Sequence, residues 1–136
     1  MKEADLPPLP SDWISDDGQD REIGIAEMAE RFGVSLRTLR FYEEKGLLTP
    51  RRSGRHRYYG AESRRLMTVI HVCRSVGMPV DQIGELLSAL LASGSESRSS
   101  AILAQALQTR LTEISELTEA LESQRQEADR LLRSLG

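Results

Sequence analysis

Arg37, Thr38 and Phe41 stand at i, i+1 and i+4 in "SLRTLRFYEEKG", residues 35–46. On a helix that spacing gathers them on one side. A guanidinium can bond two acceptors on guanine and a phenyl ring can meet a thymine methyl, so such a face suits the major groove of DNA. Arg51, Arg52, Arg55, His56 and Arg57 follow in one short stretch. Cations there suit phosphate, which fixes position on a duplex without reading sequence.

Two short helices must present the first cluster. Ile25, Met28, Ala29 and Phe32 repeat at i, i+3, i+4 and i+7, and Gly33 stops that helix. Ser35 is placed to cap a second helix running to Lys45, and Gly46 ends it. With "GVS" between them the pair reads as a helix-turn-helix. Ala29 fits a helix crossing, with Val34 and Leu39 filling the space around it. Pro50 then rules out continued helix, and Gly54 permits a turn between two extended runs. That hairpin carries the second cluster, and strand alternation sends Tyr58 and Tyr59 to opposite faces. The expectation is a winged helix-turn-helix.

Charge agrees with this placement. The chain of 136 residues has a formal net charge of −3. Residues 21–65 nevertheless hold eleven Lys/Arg against six acids, and residues 1–20 hold one Lys against six acids. Nucleic-acid binding follows the local patch rather than the total. The bland alternative is a solvated basic face. No apolar run could cross a bilayer and no signal-peptide core opens the chain, so a cytoplasmic, nucleoid-associated protein with no membrane partner is expected. One Cys excludes an intrachain disulfide and a multi-cysteine metal site.

Two more helices follow the wing. Leu66, Val69, Ile70 and Cys73 share a face of the third, which Gly77 ends; Ile83, Leu86, Leu87 and Leu90 share a face of the fourth, with Pro79 near its start. Cys73 reads as core and His71 as structural or solvated. Residues 100–135 contain neither Pro nor Gly. Leu107, Leu111, Ile114, Leu121, Ala128, Leu132 and Leu135 fit alternating heptad positions, with Thr118 and Arg125 interrupting the seam. A helix of that length spans roughly 50 Å and needs a partner helix, most simply a second copy of the chain. The interrupted centre suits antiparallel pairing or a register device.

"IAEMAERFGVSLRTLRFYEEKGLL", the Arg-rich "RYY" wing and "VGMPVDQIGELL" together resemble the MerR family of bacterial transcription regulators. The resemblance covers residues 23–91 closely and the terminal helix in kind. It implies a mainly α fold: a winged helix-turn-helix domain followed by a long C-terminal dimerisation helix in an antiparallel coiled coil. It implies a homodimer that binds a palindromic promoter element in double-stranded DNA and distorts it to modulate RNA polymerase access. Arg37 matches the base-reading position, beside Thr38 and Phe41. Arg40 and Tyr42 match backbone contacts, and Arg57 and Tyr59 match the wing; Ser35 joins the backbone set with Arg51, Arg52, Arg55 and His56. The wing reads Arg55-His56-Arg57 where the family commonly has Gly-Tyr-Arg.

The expected organisation is an acidic, disordered arm over 1–20, the winged domain over 21–91, a linker over 92–99 and the dimerisation helix over 100–136. No separate effector domain, metal or cofactor is expected. Leu6, Leu9, Trp13 and Ile14 give the arm a small apolar patch that could dock on a protein partner; a solvated tail is the alternative. No paired carboxylates, nucleophile with base, or phosphate loop occurs at workable spacing, so an enzyme is not expected. The competing class is a coiled-coil adaptor whose basic wing binds an acidic protein. It leaves the face of the second helix unexplained.

Overall fold

The computed structural model describes residues 21–136 together with Leu9 and Trp13. The expectations for the remainder of the arm lie outside the described residues. Eight elements follow in order: β1 (Ile23–Gly24), α1 (Ile25–Phe32), α2 (Leu36–Glu44), β2 (Arg51–Ser53), β3 (His56–Tyr59), α3 (Ala61–Ser75), α4 (Val80–Leu91) and α5 (Glu96–Ser134). The fold is mainly helical, with one small sheet in the order β1-β3-β2. No helix among the described residues is long and apolar enough to cross a membrane.

The helix-turn-helix forms for the reasons its residues suggest. Gly33 closes α1 at φ 63°, a left-handed conformation that a Cβ would oppose. Its neighbour Val34 donates its N–H to the Ala29 carbonyl at 3.0 Å. The Ser35 hydroxyl then accepts the Thr38 N–H at 3.0 Å and caps α2. Met28, Ala29, Phe32 and Leu39 are buried, as the periodicity requires, while Val34 is half-buried.

The wing is a hairpin with antiparallel register Arg51↔Tyr58, Arg52↔Arg57 and Ser53↔His56. Gly54 turns it at φ 62°. On the other side β3 pairs with β1, Ile23 opposite Tyr59 and Gly24 opposite Tyr58. Strand β1 is an element the sequence pattern does not announce. It ties the wing to the chain entering α1, and α1 packs in turn on α2, β3 and α3. Beneath lie Leu48, Met67, Val69, Ile70, Cys73, Ile83 and Leu90, all buried.

The chain divides into two compact units, one reaching Leu103 and one covering Ala104–Gly136. The long helix begins at Glu96, inside the stretch 92–99 expected to be a linker. Gly94 provides the turn at φ 77°, and the Ser95 hydroxyl accepts the Arg98 N–H at 3.2 Å. Ser99 and Leu103 are buried in the first unit, and the Ser93 and Ser99 hydroxyls lie 2.6 Å apart. The polar "SESRSS" run is therefore a helix start rather than a connection. The second unit is helix alone, crossed by ion pairs one turn apart such as Arg125–Glu122 at 2.7 Å and Arg130–Glu127 at 2.6 Å. Pairs this exposed contribute little beyond helix propensity.

Candidate nucleic-acid interface

Three of the residues picked out for base reading stand together on the free side of α2. Arg37 is exposed, Thr38 is half-buried and the Phe41 ring is 40 % exposed. The ring lies 6.1 Å from that of Tyr42 and is otherwise turned to solvent, on the side of α2 opposite buried Leu39. It is flanked by the Lys45 ammonium, 5.6 Å from its centroid, so the ring lies in a cationic surface. The Thr38 and Ser35 hydroxyls are 2.9 Å apart. Ser35 therefore serves first as a cap, with its hydroxyl at the exposed N-terminus of α2, where backbone N–H groups favour an anion.

The wing presents Arg51, Arg52, Arg55 and His56 on the surface. They are not equivalent. The Arg51 Nε donates to both carboxylate oxygens of Glu22, at 2.8 and 2.7 Å, and its guanidinium stacks 5.0 Å from the Tyr58 centroid. That carboxylate raises the affinity of Arg51 for its proton. Arg52 and Arg57 face each other across the strands. Like charges directly opposite destabilise a hairpin unless an anion lies nearby. Two cavities open here. One, of about 300 Å³, is lined by Arg40, Glu43, Glu44, Arg52 and Arg57. The other, of about 250 Å³, places Arg40, Arg55, His56 and Arg57 around Gly24, Ile25 and Ala26 at the start of α1. Arg40 and Arg57 line both, so α2 and the wing share one arginine-rich surface.

Two of the residues expected to contact the DNA backbone, Tyr42 and Tyr59, are buried. Tyr59 is fully buried and its hydroxyl donates to the Glu43 carboxylate. Burial, reinforced by that carboxylate, holds its phenol well above the usual range. Tyr42 is buried as well, 5 % exposed. Both tyrosines face the core because β3 and α2 meet there. Neither side chain stands on the surface with the arginines. Sequence reasoning missed Glu43, whose side chain is only 9 % exposed and whose carboxylate joins Tyr59 to Arg57. The signal available was an acid at the end of an otherwise basic helix face.

The terminal stripe is open. Leu111, Leu121, Leu132 and Leu135 are more than half exposed, Ala128 is exposed, and Leu107 and Ile114 are half-buried. Leu117 and Leu131 are also exposed and widen the stripe beyond the expected seam.

Cys73 behaves as core. It is fully buried on α3, and burial pushes its thiol up to about 11. The thiolate is the reactive form, so at neutral pH the native thiol should resist alkylation. Mass measurement should show modification only on the unfolding timescale; rapid labelling of folded protein would contradict this placement.

Comparison with known proteins decides the family. The family described as "MerR HTH family regulatory protein" matches residues 24–90, and that described as "MerR, DNA binding" matches residues 64–131, half of the chain. The chain belongs to the MerR family. Its MerR relatives include the HTH-type transcriptional regulator HmrR of Rhizobium leguminosarum bv. viciae, 34 % identical over 102 residues, which are 71 % of this chain and 77 % of HmrR. The HTH-type transcriptional regulator CueR of Salmonella typhi is 34 % identical over 68 residues, 48 % of this chain and 49 % of CueR. The match thus spans about half the length of that relative. Among solved structures, HiNmlR, a MerR family regulator lacking the sensor domain and bound to promoter DNA, aligns with a TM-score of 0.55 at 21 % identity, covering 75 % of this chain and 80 % of that one. At that identity the likeness is one of fold. The MerR core extends from β1 through α4, and both clusters of candidate residues fall inside it.

Proposed function

We propose that this chain is a MerR-type transcription regulator that binds a palindromic promoter element as a homodimer and distorts it to change RNA polymerase access. The observation that carries the reading is the exposed Arg37–Thr38–Phe41 face of α2 beside an arginine-lined wing. An adaptor binding an acidic protein needs the wing but not an uncovered Phe on a helix-turn-helix. The heptad leucines of residues 104–136 supply the second copy. Two winged modules fixed by one coiled coil hold two half-sites at a set separation. DNA adapts to that separation at a cost of ~1–6 kcal/mol for a smoothly bent site. Phosphate contacts from Arg40, Arg52, Arg55, His56 and Arg57 are the source that offsets it. The organisation proposed is an arm over 1–20, a winged domain over 21–91, and a dimerisation helix that starts at Glu96. The arm is the segment left for a protein partner.

Selection of bound sites from random DNA, followed by footprinting, tests the reading. Two inverted half-sites with one fixed spacing are the expected result, and recovery of unrelated sequences would refute it. The same assay separates the two clusters. Arg37→Ala should relax preference at particular base pairs and cost ~1–3 kcal/mol on the selected site. Arg57→Ala should weaken selected and random duplexes alike and lower the salt slope by about one. Equal losses on both duplexes for Arg37→Ala would remove it from the base-reading set.

A further inference from the structure

Among the acids near the candidate surface, the Glu43 carboxylate is the one packed between the wing and α2. It sits near the C-terminal end of α2, largely buried, and accepts the Tyr59 hydroxyl from β3. Its other oxygen lies 3.4 Å from the Arg57 Nε. That approach is close enough for an ion pair, yet the N–H is not aimed along it. The Arg57 Nε is buried with no hydrogen-bond partner among the described residues. A buried donor left without an acceptor is costly. Around the same carboxylate the cavity wall is formed by Arg40, Arg52 and the exposed Glu44, with Arg52 directly across the hairpin from Arg57. Three guanidiniums thus converge on a space that contains the largely buried Glu43 carboxylate and, at its rim, the exposed Glu44.

We propose that Glu43 is a positioning residue that stands in for a DNA phosphate: it holds Arg57 and the wing in place before binding and releases the guanidinium to phosphate on the duplex. This rests on the DNA-binding reading above. The physical consequence is selective. On a correct site the wing and α2 are both seated, and the phosphate takes over the acceptor role that Glu43 fills poorly. On a random duplex Arg57 still meets phosphate, but the looser seating leaves Glu43 beside it, and the carboxylate subtracts one charge from the phosphate-facing surface. Glu43 should therefore lower non-specific affinity more than specific affinity, and so raise discrimination.

Glu43→Gln keeps an acceptor for Tyr59 and removes the charge. Binding to a random-sequence duplex should tighten roughly fivefold near 0.1 M salt, with a salt slope steeper by up to about 0.9. The selected site should gain less, so the ratio between the two falls. Tyr59→Phe is the control, since it removes the hydroxyl bond and leaves the charge. It should cost stability and leave the slope unchanged. A Glu43→Gln protein that weakens both duplexes equally, or changes neither, would overturn the proposal in favour of a purely structural carboxylate. Wild-type protein supplies a readout that needs no variant. The Arg57 Nε–H resonance should move when duplex is added, together with the amides of Arg37 and Thr38. Movement of those amides with a static Arg57 Nε–H defeats the proposal alone. If neither moves with any duplex, the DNA-binding reading fails and takes the proposal with it.

Discussion

Leu121→Glu combined with Leu132→Glu should convert the protein to a monomer in sedimentation and reduce affinity for a two-half-site operator by about 10²–10⁴-fold. Both side chains are 64 % or more exposed, so neither stabilises the first unit. Glutamate is a good helix former, and the change leaves the helix intact while removing its apolar stripe. The proposed second copy has a direct energetic reason. Each leucine covered is worth about 1.5–3 kcal/mol, and a helix carrying Leu111, Leu117, Leu121, Leu131, Leu132 and Leu135 in water forgoes all of it. Once two winged modules are joined, the second half-site is met at the effective concentration set by the coiled coil rather than at bulk concentration. The monomer loses that gain but keeps its contacts to one half-site. Binding to a single half-site should therefore be nearly unchanged, which separates lost assembly from lost folding. A double variant that still sediments as a dimer would place the interface elsewhere. Truncation is a poorer test unless it falls after Leu103, because a cut after Ser99 strips buried Leu103 from the first unit.

Local signals gave the parts of this fold that local physics decides. Gly33 and Ser35 mark the turn because each satisfies backbone geometry within four residues of itself. The apolar spacing of Met28, Phe32, Leu66, Ile70, Ile83 and Leu90 marks the core because a helix must bury one face. The exposed set was legible for the same reason: Arg37 and Phe41 fall opposite Leu39. What escaped depends on partners far along the chain. Tyr59 meets Glu43 across 16 residues, and Arg51 meets Glu22 across 29. Tyrosine carries both an apolar ring and a donor, so its type alone does not say whether it faces phosphate or core. The start of α5 was hidden by "SESRSS", whose serines suit a polar loop and a capped helix equally. Ser99 of that run and Ser93 just ahead of it meet only once α4 and α5 are in place.

Arg64 is the largest departure from what residue type suggests, and its replacement should cost the most stability of any change near the wing. Arginine is mostly exposed in folded proteins, yet the Arg64 side chain is 1 % exposed. A guanidinium nitrogen donates to the backbone carbonyl of Arg21, 43 residues earlier, just ahead of β1. The Thr68 hydroxyl donates to the Arg64 carbonyl at 3.0 Å and is buried beside it. Arg64 thus fastens the chain entering β1 to α3, and β1 in turn backs the wing strand through Ile23↔Tyr59. Arg64→Ala removes that donor, leaves the Arg21 carbonyl without it, and empties the volume of a long side chain. Loss of the hydrogen bond costs about 1–3 kcal/mol. The cavity adds a further ~2–3 kcal/mol. In a domain of this size that sum should lower the urea midpoint sharply and the melting temperature by more than about 10 °C. Arg64→Leu divides the two effects, since it restores much of the aliphatic bulk and omits the donor. It should recover the cavity contribution and retain the cost of the unpaired carbonyl. A leucine variant as stable as the parent would mean that the buried guanidinium contributes no net stability, its desolvation cost having cancelled its bonds. With the β1 tether loosened, the alanine variant should also exchange the Tyr58 and Tyr59 amides faster while those of Leu39 and Ile83 keep their protection. Uniform loss of protection across all four would show that Arg64 supports the whole unit rather than the wing.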